Sequence, residues 1–254
     1  MSSIAAKELW QARLNNTILP RDFEGYPTRE IDAYAIQKIM IAESGSTVIG
    51  WKIGATVDAL MDVLGVDKPF IGPLFEEFLH ADGAAIPVFA GQGLEVEFTI
   101  RLKDDLPHRA TPYTTGEVEA AIGALIPSFE IIGFRFDGEP AGGGLRLIAD
   151  GGANVGCILG PELNEWDADA LPDHAVTLKV NGEEVARGMP SDLTWAHVFD
   201  AVGWLAGQPS MADRGLRAGD LIMTGTMTGM TPLKPGDQAE ADFGSMGRIN
   251  ASFT

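Results

Sequence analysis

Three short stretches hold the residues whose types and spacing invite chemistry. Gly93-Leu94-Glu95-Val96-Glu97-Phe98-Thr99-Ile100 alternates strictly between apolar and polar side chains. That is the period of a β-strand, so Leu94, Val96, Phe98 and Ile100 share one face and Glu95, Glu97 and Thr99 the other. Two carboxylates two residues apart on a strand lie about 6.6 Å apart along it, close enough to hold one hard divalent cation between them. The wet face of a half-buried strand looks the same, and in a chain with 36 acidic residues this stretch alone does not separate the two readings. Glu130 and Lys52 bear on the choice. Glu130 lies in Ile126-Pro127-Ser128-Phe129-Glu130-Ile131-Ile132, with apolar neighbours on both sides. A carboxylate buried there must find a cation or take up a proton. Lys52 lies in Thr47-Val48-Ile49-Gly50-Trp51-Lys52-Ile53-Gly54, a strand pattern in which an ammonium either snorkels to a surface or is paired. The acidic strand offers it a partner.

The elements around these residues read as follows. Residues 3 to 14 form a helix that Ser3 can cap. A second helix runs from a Thr28 cap to Ser44 and is stopped by Gly45. This pair, over residues 1–46, is expected to be a small helical appendage on a body spanning 47–254. A short helix is expected at 57 to 65 and another from 116 to 125. The segment Lys103 to Glu117, rich in Pro, Thr and charge, reads as an exposed loop and a candidate lid. Asp137 to Gly144 is a Gly-rich turn too irregular to be a phosphate loop. Asn181-Gly182 between two alternating runs signals a two-residue hairpin. Residues 194 to 206 read as a helix, and His197 on it as a core or surface histidine rather than a catalyst. Gly225-Thr226, after the apolar run Leu221 to Met223, places backbone N–H groups and a hydroxyl where they either hold a carboxylate or simply make a turn.

The totals narrow the function classes. A chain of 254 residues with 45% apolar and 21% charged residues has ample material for a core. A formal charge of −18 argues against nucleic acid and anionic membranes as partners. A small anionic substrate remains compatible if a metal or a lysine supplies a local cation. Cys157 is the only cysteine, so no intrachain disulfide forms. Lys7, Glu8 and Arg13 break up the apolar pattern at the N-terminus, and no secretory signal or long apolar run is seen. The cytoplasm is the expected compartment. The four histidines show no metal-ligand spacing, and no Ser-His-Asp or Cys-His set is suggested.

Taken together, these stretches resemble the fumarylacetoacetate hydrolase superfamily, and within it the branch of 2-oxo-4-pentenoate hydratases and 4-oxalocrotonate decarboxylases. Gly50-Trp51-Lys52-Ile53-Gly54-Ala55-Thr56 is similar to that branch's G-x-K-x-G-x-T stretch. Leu94-Glu95-Val96-Glu97 resembles the metal pair, and Phe129-Glu130-Ile131-Ile132 the stretch with the third ligand. Leu216 to Met230 and Lys234-Pro235-Gly236-Asp237 resemble the C-terminal signature. The resemblance implies an α+β fold: a β-rich body with a distorted, rolled sheet and a small N-terminal helical part. It implies a homo-oligomer, and Mg²⁺ or Mn²⁺ held by Glu95, Glu97 and Glu130. Three positions depart from the branch: Phe70 stands where an acidic residue is usual, and Gly151 and Ala153 replace Asn and Ser, with an Asn at 154. Met189-Pro190-Ser191-Asp192 also lacks the usual L-G-x-P.

The implied activity is hydration of a 2-oxo or 2-hydroxy-dienoic acid in aromatic catabolism. Lys52, its pKa lowered by the metal and partial burial, is the proton-transfer group, and Lys52, Gly225 and Thr226 are substrate-binding residues. Three alternatives stand beside it. One is decarboxylation of a 2-oxo acid. A second is C–C hydrolysis, which in the superfamily uses a His-Glu pair near the N-terminal part, whereas here the first histidine is His80. The third is a non-catalytic ligand-binding relative.

Overall fold

The computed structural model describes residues 2–138 and 141–254. Glu139 and Pro140, within the expected Gly-rich turn, lie outside the described residues. Among the described residues thirteen strands form two sheets. In chain order they are β1 (Val48–Gly54), β2 (Phe70–Phe75), β3 (Leu79–Ala81), β4 (Ala85–Ile86), β5 (Gly93–Leu102), β6 (Ile122–Ile132), β7 (Asn154–Leu159), β8 (Val176–Val180), β9 (Glu183–Gly188), β10 (Leu221–Met223), β11 (Thr231–Pro232), β12 (Gln238–Asp242) and β13 (Arg248–Phe253). The larger, mixed sheet has the order β2-β1-β10-β5-β6-β7-β3, with β11 also pairing β5, and the smaller has the order β4-β13-β12-β8-β9. Among the described residues six α-helices accompany them: α1 (Ser2–Asn15), α2 (Glu30–Ser44), α3 (Asp58–Leu64), α4 (Thr115–Ala121), α5 (Gly144–Ala149) and α6 (Val198–Ala206). The architecture is α+β with a curled mixed sheet. Among the described residues no helix is long and apolar enough to cross a membrane.

The strand carrying Glu95 and Glu97 is central, not half-wet. β5 is antiparallel to β6 on one side and to β10 on the other. Its apolar face packs into the core shared with the small sheet: Phe98 meets Phe243 with ring centroids 5.2 Å apart. Its polar face is buried too, with Glu97 1% and Thr99 0% exposed. Alternation told which side chains share a face. It did not tell that other segments cover both faces, and that coverage removes the wet-face reading.

Helix ends follow local chemistry with four shifts. Ser3 lies within α1 rather than capping it, and its hydroxyl donates to Glu43 of α2. α2 begins at Glu30 after Arg29, and Gly45 ends it in the left-handed conformation as expected. α4 is capped by Thr114, which exchanges hydrogen bonds with Glu117, but ends at Ala121 rather than 125. From Ile122 the chain is a strand because it pairs with β5, and that pairing outweighs helical propensity. α6 starts at Val198 rather than 194. His197 caps it: its Nδ1 accepts the Phe199 N–H, so Nε2 carries the proton donated to the Ala168 carbonyl. Asn181 and Gly182, both at positive φ, make the β8–β9 hairpin turn.

α1 and α2 share one buried cluster with the body: Leu9, Trp10, Ile36 and Met40 pack with Phe75, Phe136, Leu147 and Ile148. Gln37 of α2 donates to the carbonyls of Ile71 and Ile148. Arg13 of α1 is 4% exposed and reaches the Asp150 carbonyl at 3.2 Å.

Candidate functional site: a buried carboxylate cluster

Register brings the three carboxylates together. Glu95 on β5 stands directly opposite Glu130 on β6, and Glu97 opposite Ser128, so all these side chains leave the same face of the sheet. One oxygen from each of Glu95, Glu97 and Glu130 lies within 4.8 Å of the others. Lys52 enters from two strands away, because its row runs through Met223 of β10 to Thr99 of β5. Its Nζ is 3.2 Å from Glu130 Oε2 and donates to the Gly152 carbonyl at 3.1 Å. Glu130 Oε2 is met by that ammonium alone. Glu97 Oε1 has no hydrogen-bond partner.

Each remaining oxygen contact is supplied by a segment that local sequence places there. After β10 the chain stays beside β5: Thr224 bonds Phe98 and Met227 bonds Val96, and between them the Gly225 N–H donates to Glu97 Oε2 at 2.7 Å. Gly225 has φ +110°, and a Cβ there would come within 2.4 Å of the Thr56 hydroxyl, so only glycine fits. Its N–H is therefore committed to Glu97. Thr226 lines the neighbouring cavity and donates its hydroxyl to the Gly229 carbonyl. Asn154 donates to Glu130 Oε1 at 2.9 Å. It follows the tight turn Asp150 to Ala153, in which Gly151, Gly152 and Ala153 all have positive φ.

Electrostatics fit a site built for a cation. Burial raises Glu95 to about 7, with Glu130 adding to the rise and Lys52 opposing it. Burial, then Glu130 and Glu95, hold Glu97 well above the usual carboxylate range. For Lys52, burial pulls the pKa down, but Glu130, Glu95 and Glu97 outweigh it and the net shift is upward. That is opposite to the lowered value expected from sequence, which needs a further positive charge to offset the three carboxylates. One unpartnered buried oxygen, Glu97 Oε1, and three converging carboxylates that share a single ammonium fit a hard divalent cation with oxygen ligands.

A cavity of about 530 Å³ adjoins the cluster, with Lys52 and Glu95 in its wall. Its lining is otherwise mostly apolar: Leu60 and Leu64 of α3, Phe70, Ile132, Phe134, Leu147, Leu193 and Met227. Among the described residues no histidine lines it, and neither does any residue of 103–117. The candidate lid lies elsewhere because it follows the far end of β5. Leu102 is seven residues along the strand from Glu95, roughly 23 Å.

Residues 77–254 match the family described as fumarylacetoacetate (FAA) hydrolase C-terminal. The chain belongs to the fumarylacetoacetate hydrolase family. It is 30% identical to 2-keto-4-pentenoate hydratase of Paraburkholderia xenovorans (strain LB400), covering 98% of this chain and 93% of that protein. It is 32% identical to 2-oxo-hept-4-ene-1,7-dioate hydratase of Escherichia coli, covering 90% of this chain and 88% of that protein. Among solved structures, 4-oxalocrotonate decarboxylase from Pseudomonas putida G7, complexed with magnesium and adipate, superimposes with a TM-score of 0.87 at 25% identity, covering 100% of this chain and 97% of that one.

Sequence reasoning missed a second buried cluster behind the family site. Arg135 Nε donates to Asp150 Oδ1 at 2.5 Å, and its Nη2 bonds the Asn154 carbonyl at 2.8 Å. Arg13 stacks over Phe75 and Phe78 while bonding the Asp150 carbonyl. These residues hold both ends of the turn that presents Gly152 and Asn154 to the site. The departures at Gly151 and Ala153 fall inside this turn, and Asn154 supplies the amide that meets Glu130.

Proposed function

We propose that this protein is a divalent-metal-dependent hydratase of 2-oxo or 2-hydroxy-dienoic acids, a hydro-lyase. The observation that carries the reading is the convergence of Glu95, Glu97 and Glu130 beside Lys52 at the wall of one cavity. The hydratase names of full-length relatives support it. Glu95, Glu97 and Glu130 would hold Mg²⁺ or Mn²⁺. When bound, such an ion supplies Lewis-acid polarisation of the substrate's carboxylate and C2 oxygen.

The chain's own residues supply the rest. Gly225 N–H and the Asn154 amide fix the orientations of Glu97 and Glu130, leaving one oxygen of each directed into the cluster. Lys52 Nζ, held by the Gly152 carbonyl, moves the proton between the C2 hydroxyl and the far carbon of the dienol as it becomes the ketone. Water then adds across the remaining conjugated double bond, its oxygen to C4 and a proton to C3, giving a 4-hydroxy-2-oxo acid. Thr226 lies in the cavity wall as a substrate contact. Gly225 acts through Glu97. Apolar walls limit the water that reaches the dienol. A homo-oligomer belongs to the same reading, with Ile4 and Ile31, exposed on α1 and α2, as interface candidates.

Decarboxylation is the second reading, favoured by the 4-oxalocrotonate decarboxylase structure. The test incubates the protein with Mg²⁺ and 2-hydroxy-2,4-dienoic and 2-oxo-dicarboxylic acids, following dienol absorbance and CO₂ together. Hydration predicts loss of dienol without CO₂. Stoichiometric CO₂ assigns the decarboxylase, and no turnover of any acid rejects both. Lys52→Met, which keeps the apolar stem, is expected to lower kcat by at least about a hundredfold while metal binding is retained. A fall of less than about threefold would remove Lys52 from the chemistry.

A further inference from the structure

We propose that the cavity selects substrates whose far end is a long apolar tail and rejects a second carboxylate there. This rests on the 2-oxo acid reading above and specifies its substrate class. The cavity, about 530 Å³, is in the range of roughly 300–1,000 Å³ that encloses drug-sized ligands, well beyond what a five-carbon acid fills. Beyond Lys52 and Glu95 much of its wall comes from α3, β2, α5 and the chain just past Glu130, through Leu60, Val63, Phe70, Ile132, Phe134 and Leu147, with Thr56 and Thr226 adding two hydroxyls. Among the described residues the only other charge in the wall is Asp192, which is itself a carboxylate.

The basic side chains nearest in sequence are engaged elsewhere. Lys68, two residues before Phe70, pairs with Glu30 at 2.9 Å. Arg146, beside Leu147, has its guanidinium over the rings of Tyr26 and Phe136 at 4.8 and 5.5 Å. Lys52 is already shared between Glu130 and Gly152. A carboxylate held against this apolar wall would therefore give up part of its hydration, meet no cation and face Asp192, a cost that an alkyl or aryl tail does not carry. Phe70 marks the change of character within the cavity: its ring is 5.9 Å from Lys52 Nζ, so apolar wall begins directly beside the cationic group. Gly54 makes room for that ring, since a Cβ there would come within 2.5 Å of it.

The test uses saturated 2-oxo acids, which cannot be hydrated, so that binding is read apart from turnover. Calorimetry in saturating Mg²⁺ compares pyruvate, 2-oxohexanoate, 2-oxononanoate and 2-oxononanedioate. Affinity is expected to rise about fourfold per buried methylene, the equivalent of ~0.8 kcal/mol, until the cavity is filled. 2-Oxononanedioate should bind at least about tenfold more weakly than 2-oxononanoate. Val63 is 52% exposed on α3, so Val63→Lys changes the wall at a position whose substitution leaves the core intact. It is expected to shrink the monoacid-to-diacid ratio by about tenfold or more. Equal or tighter binding of the diacid, or no gain from pyruvate to 2-oxononanoate, overturns the proposal. Hydration of a five-carbon dienol without any tail preference leaves the hydratase reading standing and removes this one. Tail preference without any turnover does the reverse.

Discussion

Two buried polar clusters lie on either side of the turn from Asp150 to Asn154, and they are charged in opposite senses. One gathers Glu95, Glu97 and Glu130 around Lys52, a formal charge of minus two if all are ionised, and it adjoins the large cavity. The other gathers Arg13 and Arg135 around Asp150, a formal plus one, behind the first. In the basic cluster the charges bind protein: Asp150 meets Arg135, and Arg13 spreads its guanidinium over two aromatic rings. Burial and then Arg135 lower Arg13 to about 9, which leaves it charged at neutral pH. Both clusters hold buried polar atoms without a hydrogen-bond partner: Arg13 Nε and Nη1 and Asp150 Oδ2 in the basic one, Glu97 Oε1 and, the Lys52 ammonium apart, Glu130 Oε2 in the acidic one. What separates them is charge balance and access, since only the acidic cluster sets three carboxylates against one ammonium and only it borders the cavity, where a cation can enter. The turn links them, since it passes Gly152 to Lys52 and Asn154 to Glu130.

The largest effect is expected in the basic cluster. Asp150→Asn leaves two buried guanidiniums with no carboxylate between them. Breaking a buried pair in this way costs about 3–5 kcal/mol, or about 10 °C in Tm for a chain of this size. The loss should be the same in EDTA and in saturating Mg²⁺. Thermal unfolding in both buffers checks it, and a Tm unchanged in either would mean that Asp150 braces nothing.

At the acidic side the sign of the pH dependence is the sharper test. Glu95 is raised from 4.5 to about 7 in the folded protein, with Glu97 shifted in the same direction. Between these two values the unfolded chain releases the proton while the folded chain keeps it, so stability falls as pH rises from about 4.5 to 7. Glu95 alone contributes about 3 kcal/mol of that loss. Saturating Mg²⁺ favours the ionised carboxylates and should flatten or reverse the slope. Denaturant unfolding across this window, with Mg²⁺ and with EDTA, reads the difference directly. Parallel curves would show that the cluster does not exchange protons for a metal.

How much of this was legible depends on whether a residue's partners are local. Alternation in β5 placed Glu95 and Glu97 on one face without telling that the face is buried, whereas the apolar residues on both sides of Glu130 and Lys52 marked those two as needing partners. The Asn181-Gly182 hairpin was legible because the turn is chosen by its own two residues. Arg13 was not. It sits in the last turn of α1, where a basic residue is usually solvated, and Phe75, Phe78 and the distant Asp150 turn cover it. The Gly225-Thr226 pattern suggested backbone donors for a carboxylate. The carboxylate that Gly225 meets is the protein's own Glu97, 128 residues earlier, and no spacing within the motif could say so. The expected lid at 103–117 failed on distance, since composition marks a loop as exposed but not which end of a strand it leaves.

The central claim, that the acidic cluster is a cation site, is tested most directly by calorimetric titration of Mg²⁺ and Mn²⁺ into the native protein and Glu130→Gln. The substitution keeps shape and removes one of three carboxylates that meet within 4.8 Å. The account predicts one site per chain in the native protein, proton release on binding near neutral pH, and affinity at least about tenfold weaker in Glu130→Gln, with the fold unchanged by circular dichroism. Equal affinity in the two proteins, or no binding to the native one, would contradict it.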